Sequence, residues 1–303
     1  MSIVKVSAPG SLMLTGEHAV IHGYPACVCA VNKRLYLEAE ILDEKKLYIE
    51  SPLGNFETEL ENLTRSDKFT FITEAVRLAD LKKGIRIKTE SEFSHKTGLG
   101  SSAAVTVCTC KALDLLSGRN STKEELFRQS LKVVRSVQKT GSGSDIAASV
   151  FGGITKMEAF PSVLHCTEFP EIDLFYCGYK MKTPDVIALV NSLAEKNKKK
   201  YDRIYREMGE TANLTAEALE SGNLIQTGKL FDRYQVLMEE LGVCDSTLKT
   251  MIETLKKEKN VLGVKISGSG LGDCVMTLGI PEKKLEGYLN IPVKITREGV
   301  TEC

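Results

Sequence analysis

Thr97-Gly98-Leu99-Gly100-Ser101-Ser102-Ala103-Ala104 is a glycine-rich turn that runs directly into residues able to continue as a helix. Gly98 and Gly100 permit positive φ and leave room for a ligand to approach the backbone. The first turn of the helix that follows has free N–H groups and a partial positive charge, which favours bound phosphate. Ser101 and Ser102 place hydroxyls at that terminus, where one can cap the helix and the other reach a phosphate-bound cation. The spacing is neither a Walker loop nor a dinucleotide fingerprint, because no Gly-Lys-Ser/Thr follows and the glycines stand too close together. An ordinary capped helix is the competing reading, since short Gly/Ser turns are common.

Outward from this turn the first half of the chain alternates strands and turns. Residues 3–7, 26–31, 35–42 and 84–90 read as strands, with a hairpin over 47–60 turning at Pro52-Leu53-Gly54-Asn55. Residues 68–81 follow helical periodicity, 101–116 are small and apolar as in a buried helix, and Thr122 with Glu125 forms a capping box opening a helix over 123–136. Short strands are expected at 154–159 and 174–177. The Pro-bearing stretch 161–170 marks a lobe boundary, giving an N-terminal lobe 1–165 and a helix-rich C-terminal lobe 166–303. In the latter, Pro184 suits the first turn of a helix over 185–207. Further helices are expected at 211–221, 223–241 and 245–258, and strands at 261–266, 274–278 and 293–297. Mixed antiparallel strands with helices in blocks predict an α+β fold.

Composition narrows the function. The 303 residues carry 40 basic and 40 acidic side chains, a balance that argues against nucleic acid or an anionic membrane as the main partner. No apolar run reaches the ~20 residues of a membrane span, and the N-terminus carries no secretory pattern, so a cytoplasmic protein is expected. The nine cysteines are scattered without a repeating frame and read as small buried thiols rather than a metal or redox set.

Two more segments stand in order with the central turn. Residues 8–23 read Ala-Pro-Gly-Ser-Leu-Met-Leu-Thr-Gly-Glu-His-Ala-Val-Ile-His-Gly, and residues 265–279 read Lys-Ile-Ser-Gly-Ser-Gly-Leu-Gly-Asp-Cys-Val-Met-Thr-Leu-Gly. The triplet resembles the three signature motifs of the GHMP small-molecule kinases, and residues 16–23 look most like the mevalonate kinases among them. The resemblance implies a two-lobed fold with mixed antiparallel sheets and the active site between the lobes. It also implies ATP and Mg²⁺, a small hydroxy acid such as mevalonate as acceptor, and a homodimer.

Carried over residue by residue, the family pattern assigns the nucleotide to Gly98, Leu99, Gly100, Ser101, Ser102 and Ala103, and to Gly268, Ser269 and Gly270. Ser102 is the expected Mg²⁺ ligand. In Lys139-Thr-Gly-Ser-Gly-Ser-Asp-Ile, Asp145 matches the aspartate ending the equivalent loop, and a carboxylate there can accept the hydroxyl proton as attack proceeds. Its alternative role is to cap the helix that follows. Thr183 resembles a threonine of the family's catalytic site. Glu17, His18 and Gly143 are expected against the substrate; His95 and His165 are given no role.

The pattern also breaks. In mevalonate kinases the first motif usually reads Pro-Gly-Lys, where this chain has Pro9-Gly10-Ser11, and the upstream glutamate that often shares the Mg²⁺ ligation has no match in Val133-Val134-Arg135. Lys139, Lys180 or Lys182 is expected to restore the missing positive charge. Asp273-Cys274 resembles phosphomevalonate kinases instead, so that activity is carried as the alternative. A sugar kinase and a catalytically silent relative follow it.

Overall fold

The computed structural model describes residues 3–64, 66–94, 97–139 and 141–303; His95 and Thr140 lie outside the described residues. In chain order the elements begin with β1 (Ile3–Thr15), β2 (Ala26–Leu42), β3 (Lys46–Ser51), β4 (Gly54–Glu59), α1 (Thr70–Ala79), β5 (Gly84–Ser91) and α2 (Ser101–Leu116). Then come α3 (Lys123–Gln138), α4 (Ser144–Phe151), β6 (Ile154–Met157), β7 (Pro161–Val163), β8 (Ile172–Lys180), α5 (Thr183–Lys196) and α6 (Lys198–Glu220). The chain closes with α7 (Leu224–Leu241), α8 (Ser246–Leu255), β9 (Gly263–Ser267), β10 (Gly272–Leu278), β11 (Leu289–Pro292) and β12 (Thr301–Glu302).

The first sheet runs β12-β1-β2-β5-β3-β4, with β6 on β2 and β7 on β6; the second runs β11-β8-β10-β9. Pairing among these strands is antiparallel except for β3 with β5. This is the expected mixed α+β architecture. Ile85, Ile87, Leu47 and Ile49 alternate into the first core, where α2 lies against β1 and β2 and is flanked by α1 and α3. Because α2 carries small and apolar residues on most sides, it is buried rather than amphipathic. A second core gathers Val190, Ile204, Tyr234, Met238 and Ile266 from α5, α6, α7 and β9.

Three expectations change. The gap between 26–31 and 35–42 is no turn: β2 is continuous, and Asn32 and Lys33 form a bulge where the register steps from Gly10↔Val31 to Pro9↔Arg34. Pro9 has no N–H to donate, so a bulge falls naturally opposite it. The helix expected over 185–207 is broken at Asn197, whose side chain accepts from Lys200 N (3.2 Å) and starts α6 anew. The helix then continues through Thr211, whose hydroxyl bonds back to Glu207 O (2.7 Å). Finally, residues 293–297 form no strand in the second sheet. They return to the first, through a bridge between Val31 and Ile295 and paired bonds between Asn32 and Lys294, before β12 covers the edge of β1.

Candidate active site

A cleft of about 1260 Å³ opens beside the start of α2. The glycine turn forms one wall. Gly100, at φ +63, is the N-cap of α2 and no side chain caps it, so neither Ser101 nor Ser102 takes the capping role the sequence allowed. Ala103 N and Ala104 N donate to Gly100 O (2.9 and 3.0 Å), so it is the N–H groups before them that are left for a ligand. Gly100 is obligatory for packing as well: a Cβ there would lie 1.9 Å from Ser11 Oγ. Leu99 turns its side chain into the first core, and its carbonyl accepts from Ser11 N (3.1 Å), locking the first motif to the second.

Ser11 also sets the opposite wall. Its hydroxyl donates to Asp145 Oδ1 at 2.7 Å. Asp145 is in the first turn of α4, whose N-cap is Gly143 (φ +84) with no side-chain cap, so the capping alternative for Asp145 is rejected. The carboxyl group stays partly open to the cleft. Desolvation by the surrounding protein raises its pKa above the ordinary carboxylate range; the Ser11 bond and the charge of Lys180 pull it down, and Asp273 pushes it up.

The turn after β1 brings Glu17 and His18 to the rim. His18 has φ 60 and ψ −51, and Ala19 N bonds Glu17 O across it at 2.7 Å, so His18 is the centre of a γ-turn of the rare hand. Such a conformation costs about 1–3 kcal/mol and persists where the surroundings impose it. Here His18 Nε2–H donates to Ser269 O (2.8 Å), tying the first motif to the third. Burial lowers the ring's pKa, which favours the neutral form and leaves Nδ1 as an acceptor.

Glu17 lines the cleft with its Oε2 unpartnered among the described residues, while its Oε1 is held from below. Lys265, 0% exposed, donates to Glu17 Oε1 at 2.5 Å and to its neighbour's carbonyl, Ile266 O, and lies over the Tyr234 ring. Tyr234 Oη in turn donates to Glu17 O (2.8 Å). The carboxylate is thus a buried strut beneath the third glycine loop. Lys265 is a residue the sequence reading missed: a lone lysine in a strand gives no signal until its partner, 248 positions away, is known.

Gly268 and Ser269 line the cleft, but Gly270 does not; its Cβ position falls 2.4 Å from Val243 O, and it packs the loop onto the second core. Of the three lysine candidates, Lys180 reaches the cleft and binds Asp273 Oδ2 at 2.5 Å. Lys182 stands before α5 and Lys139 ends α3, both outside the cleft lining. Thr183 is exposed on the rim at the start of α5. His165 stays out of the site. Seven of the nine cysteines are buried, and burial pushes Cys27, Cys29 and Cys110 up to about 12, as unreactive core thiols require.

Uncapped helix termini, glycine turns and a desolvated carboxylate facing one cleft define a phosphate-handling enzyme. Residues 69–153 match the family model for the GHMP kinases N terminal domain and 215–287 that for the GHMP kinases C terminal. The chain belongs to the GHMP kinases, which makes it an ATP-dependent small-molecule kinase. It is similar to the mevalonate kinase of Thermococcus sibiricus, 30% identical over 98% of this chain and 97% of that one. The mevalonate kinase of Archaeoglobus fulgidus is 32% identical over 97% and 98%. The crystal structure of Methanococcus jannaschii mevalonate kinase shares the fold with a TM-score of 0.82, at 21% identity over 97% of this chain and 98% of that chain. Among the described residues no helix is long and apolar enough to cross a membrane.

Proposed function

We propose that this protein transfers the γ-phosphoryl group of ATP to the 5-hydroxyl of mevalonate. One observation carries the reading: Asp145, held by Ser11, faces the uncapped start of α2 across a single cleft. The near-full-length similarity to mevalonate kinases supports the choice of acceptor. In this reading the N–H groups of the 98–102 turn and of Gly268 and Ser269 cradle the phosphates. Asp145 takes the hydroxyl proton at a carboxylate oxygen during attack, and Lys180 supplies the positive charge that position 11 lacks. His18 Nδ1 accepts from a substrate hydroxyl, Gly143 meets the acceptor through its backbone, its Cβ position facing Leu131 and Phe127, and Thr183 closes the rim.

Mg²⁺, when bound, would neutralise the triphosphate and orient its terminal group. The site fits such an ion: the Ser102 hydroxyl and a buried oxygen of Asp273, unpartnered among the described residues, are hard donors of the kind it requires. The lobe division at 165/166, a homodimer and a cytoplasmic site of action remain parts of this proposal.

Phosphomevalonate is the second reading. It is favoured by Arg128 and Arg135, which line an adjoining chamber of about 780 Å³ and form no ion pair among the described residues. An ADP-release assay across mevalonate, phosphomevalonate, homoserine and galactose separates these readings. With the preferred acceptor, Asp145→Asn is expected to lower kcat by ~10²–10⁴-fold; near-wild-type turnover would remove Asp145 from the chemistry.

A further inference from the structure

Asp273 occupies a place where a polyphosphate site least tolerates a second carboxylate. It falls at the irregularity between Gly272 and Cys274 in the pairing of β10 with β8, at φ +72. That backbone directs the side chain between two glycine turns. A Cβ on Gly98 would meet Oδ1 at 2.4 Å, and one on Gly268 would meet Oδ2 at 3.0 Å. The residue is 2% exposed; Oδ2 is taken by Lys180, but Oδ1 is buried with no hydrogen-bond partner among the described residues. Leaving a charged acceptor so placed is costly, and it asks for a partner that arrives from outside the chain.

The charge balance says which kind. Asp273 lies against Gly98, and Gly100 lies against Ser11, which holds Asp145; two carboxylates therefore flank the turn from 98 to 102. Among the described residues, the lysines of the cleft are Lys68, which donates to Leu53 O, and Lys180, already committed to Asp273. A nucleotide's phosphates add further negative charge at this spot. We propose that Asp273 Oδ1 is the carboxylate ligand of the divalent cation accompanying the nucleotide, sharing it with the Ser102 hydroxyl, while Lys180 neutralises Asp273 until that cation arrives. The inference rests on the phosphotransfer reading of the same cleft. It replaces the carboxylate missing from α3 with one from the opposite lobe.

The test is Mn²⁺ titration by electron paramagnetic resonance, with and without a non-hydrolysable ATP analogue, alongside analogue binding in EDTA. Asp273→Gly suits the positive φ, and Asp273→Asn keeps the shape. Both are expected to weaken Mn²⁺ binding in the ternary complex about tenfold or more. Metal-free analogue affinity should hold or tighten, because a repelling charge is gone. Lys180→Met should strengthen Mn²⁺ binding to the nucleotide-free protein. Wild-type Mn²⁺ affinity in both Asp273 variants would overturn the inference, as would an equal loss of metal-free analogue binding, which would make Asp273 a loop support. A wild-type protein that binds no analogue, with or without Mn²⁺, would instead bring down the phosphotransfer reading and this inference with it.

Discussion

Single side chains decide how the cleft is charged. Ser11 stands where the resemblance to mevalonate kinases leads one to expect lysine, and it makes a short hydrogen bond to Asp145 in place of a charge. That bond holds the carboxyl pKa down against desolvation, with Lys180 acting the same way and Asp273 the opposite way. A base works only when ionised, so activity is lost as pH falls through its raised pKa. Ser11→Ala removes a lowering influence, and the acid limb of the kcat–pH profile is expected to move to higher pH; an unmoved limb would mean that Asp145 does not set it. The same shift has a stability consequence. Because the folded state binds the Asp145 proton more tightly than the unfolded chain, stability falls as pH rises through this window. Asp145→Asn should therefore raise Tm at pH 8 and leave it unchanged at pH 3, where the wild-type group is protonated in both states. Gly100→Ala is the steric counterpart. Both the positive φ and the 1.9 Å approach to Ser11 forbid the methyl group, so analogue binding should be lost even if the protein still folds.

At the level of elements, the three motifs act as one because buried polar contacts join them. The β1 turn reaches the third loop through His18 to Ser269, and β9 reaches the same turn through Lys265 to Glu17. Burial raises the Glu17 pKa and lowers that of Lys265, so each charge depends on the other. Lys265→Met alone, leaving Glu17 buried without its partner, should cost about 3–5 kcal/mol in urea denaturation. The double variant with Glu17→Gln should cost clearly less; equal losses would show that the two residues are not coupled. None of this coupling was legible in the sequence, because periodicity shows that 263–267 is a strand but not that its lysine points at a turn near residue 17. The local elements were legible. The boundaries of α2 follow from Gly100 and the small residues after it, and the Thr122–Glu125 capping box is present as expected. What misled was local polarity: Asn32-Lys33 reads as a turn but is a bulge held by Lys294, and the polar run over 195–200 hides the helix break at Asn197.

Across the whole molecule the chain does not simply pass from one sheet to the other. Its last residues come back to the first sheet, which no local pattern in 293–303 announces, since an edge position depends on what lies beside it. Arg34 is the hub of that return. Its guanidinium donates to Ser7 Oγ and O (3.0 and 2.9 Å), to Gly299 O (2.9 Å) and to Thr301 Oγ1 (3.0 Å), while Cys303 N reaches Lys5 O at 2.9 Å. Arg34→Met keeps most of the apolar stem but strands several half-buried acceptors, each worth about 1–3 kcal/mol when left unpaired. The tail should then detach before the sheet it covers. Hydrogen exchange is expected to lose protection at Thr301–Glu302 and along Val6–Ser7, with the second sheet unchanged and the midpoint of unfolding lowered. Turnover should stay close to wild type, because Arg34 lies outside the cleft lining. Full protection of Thr301–Glu302 in this variant would mean that backbone pairing alone holds the tail, and that the edge of β1 is sealed without Arg34.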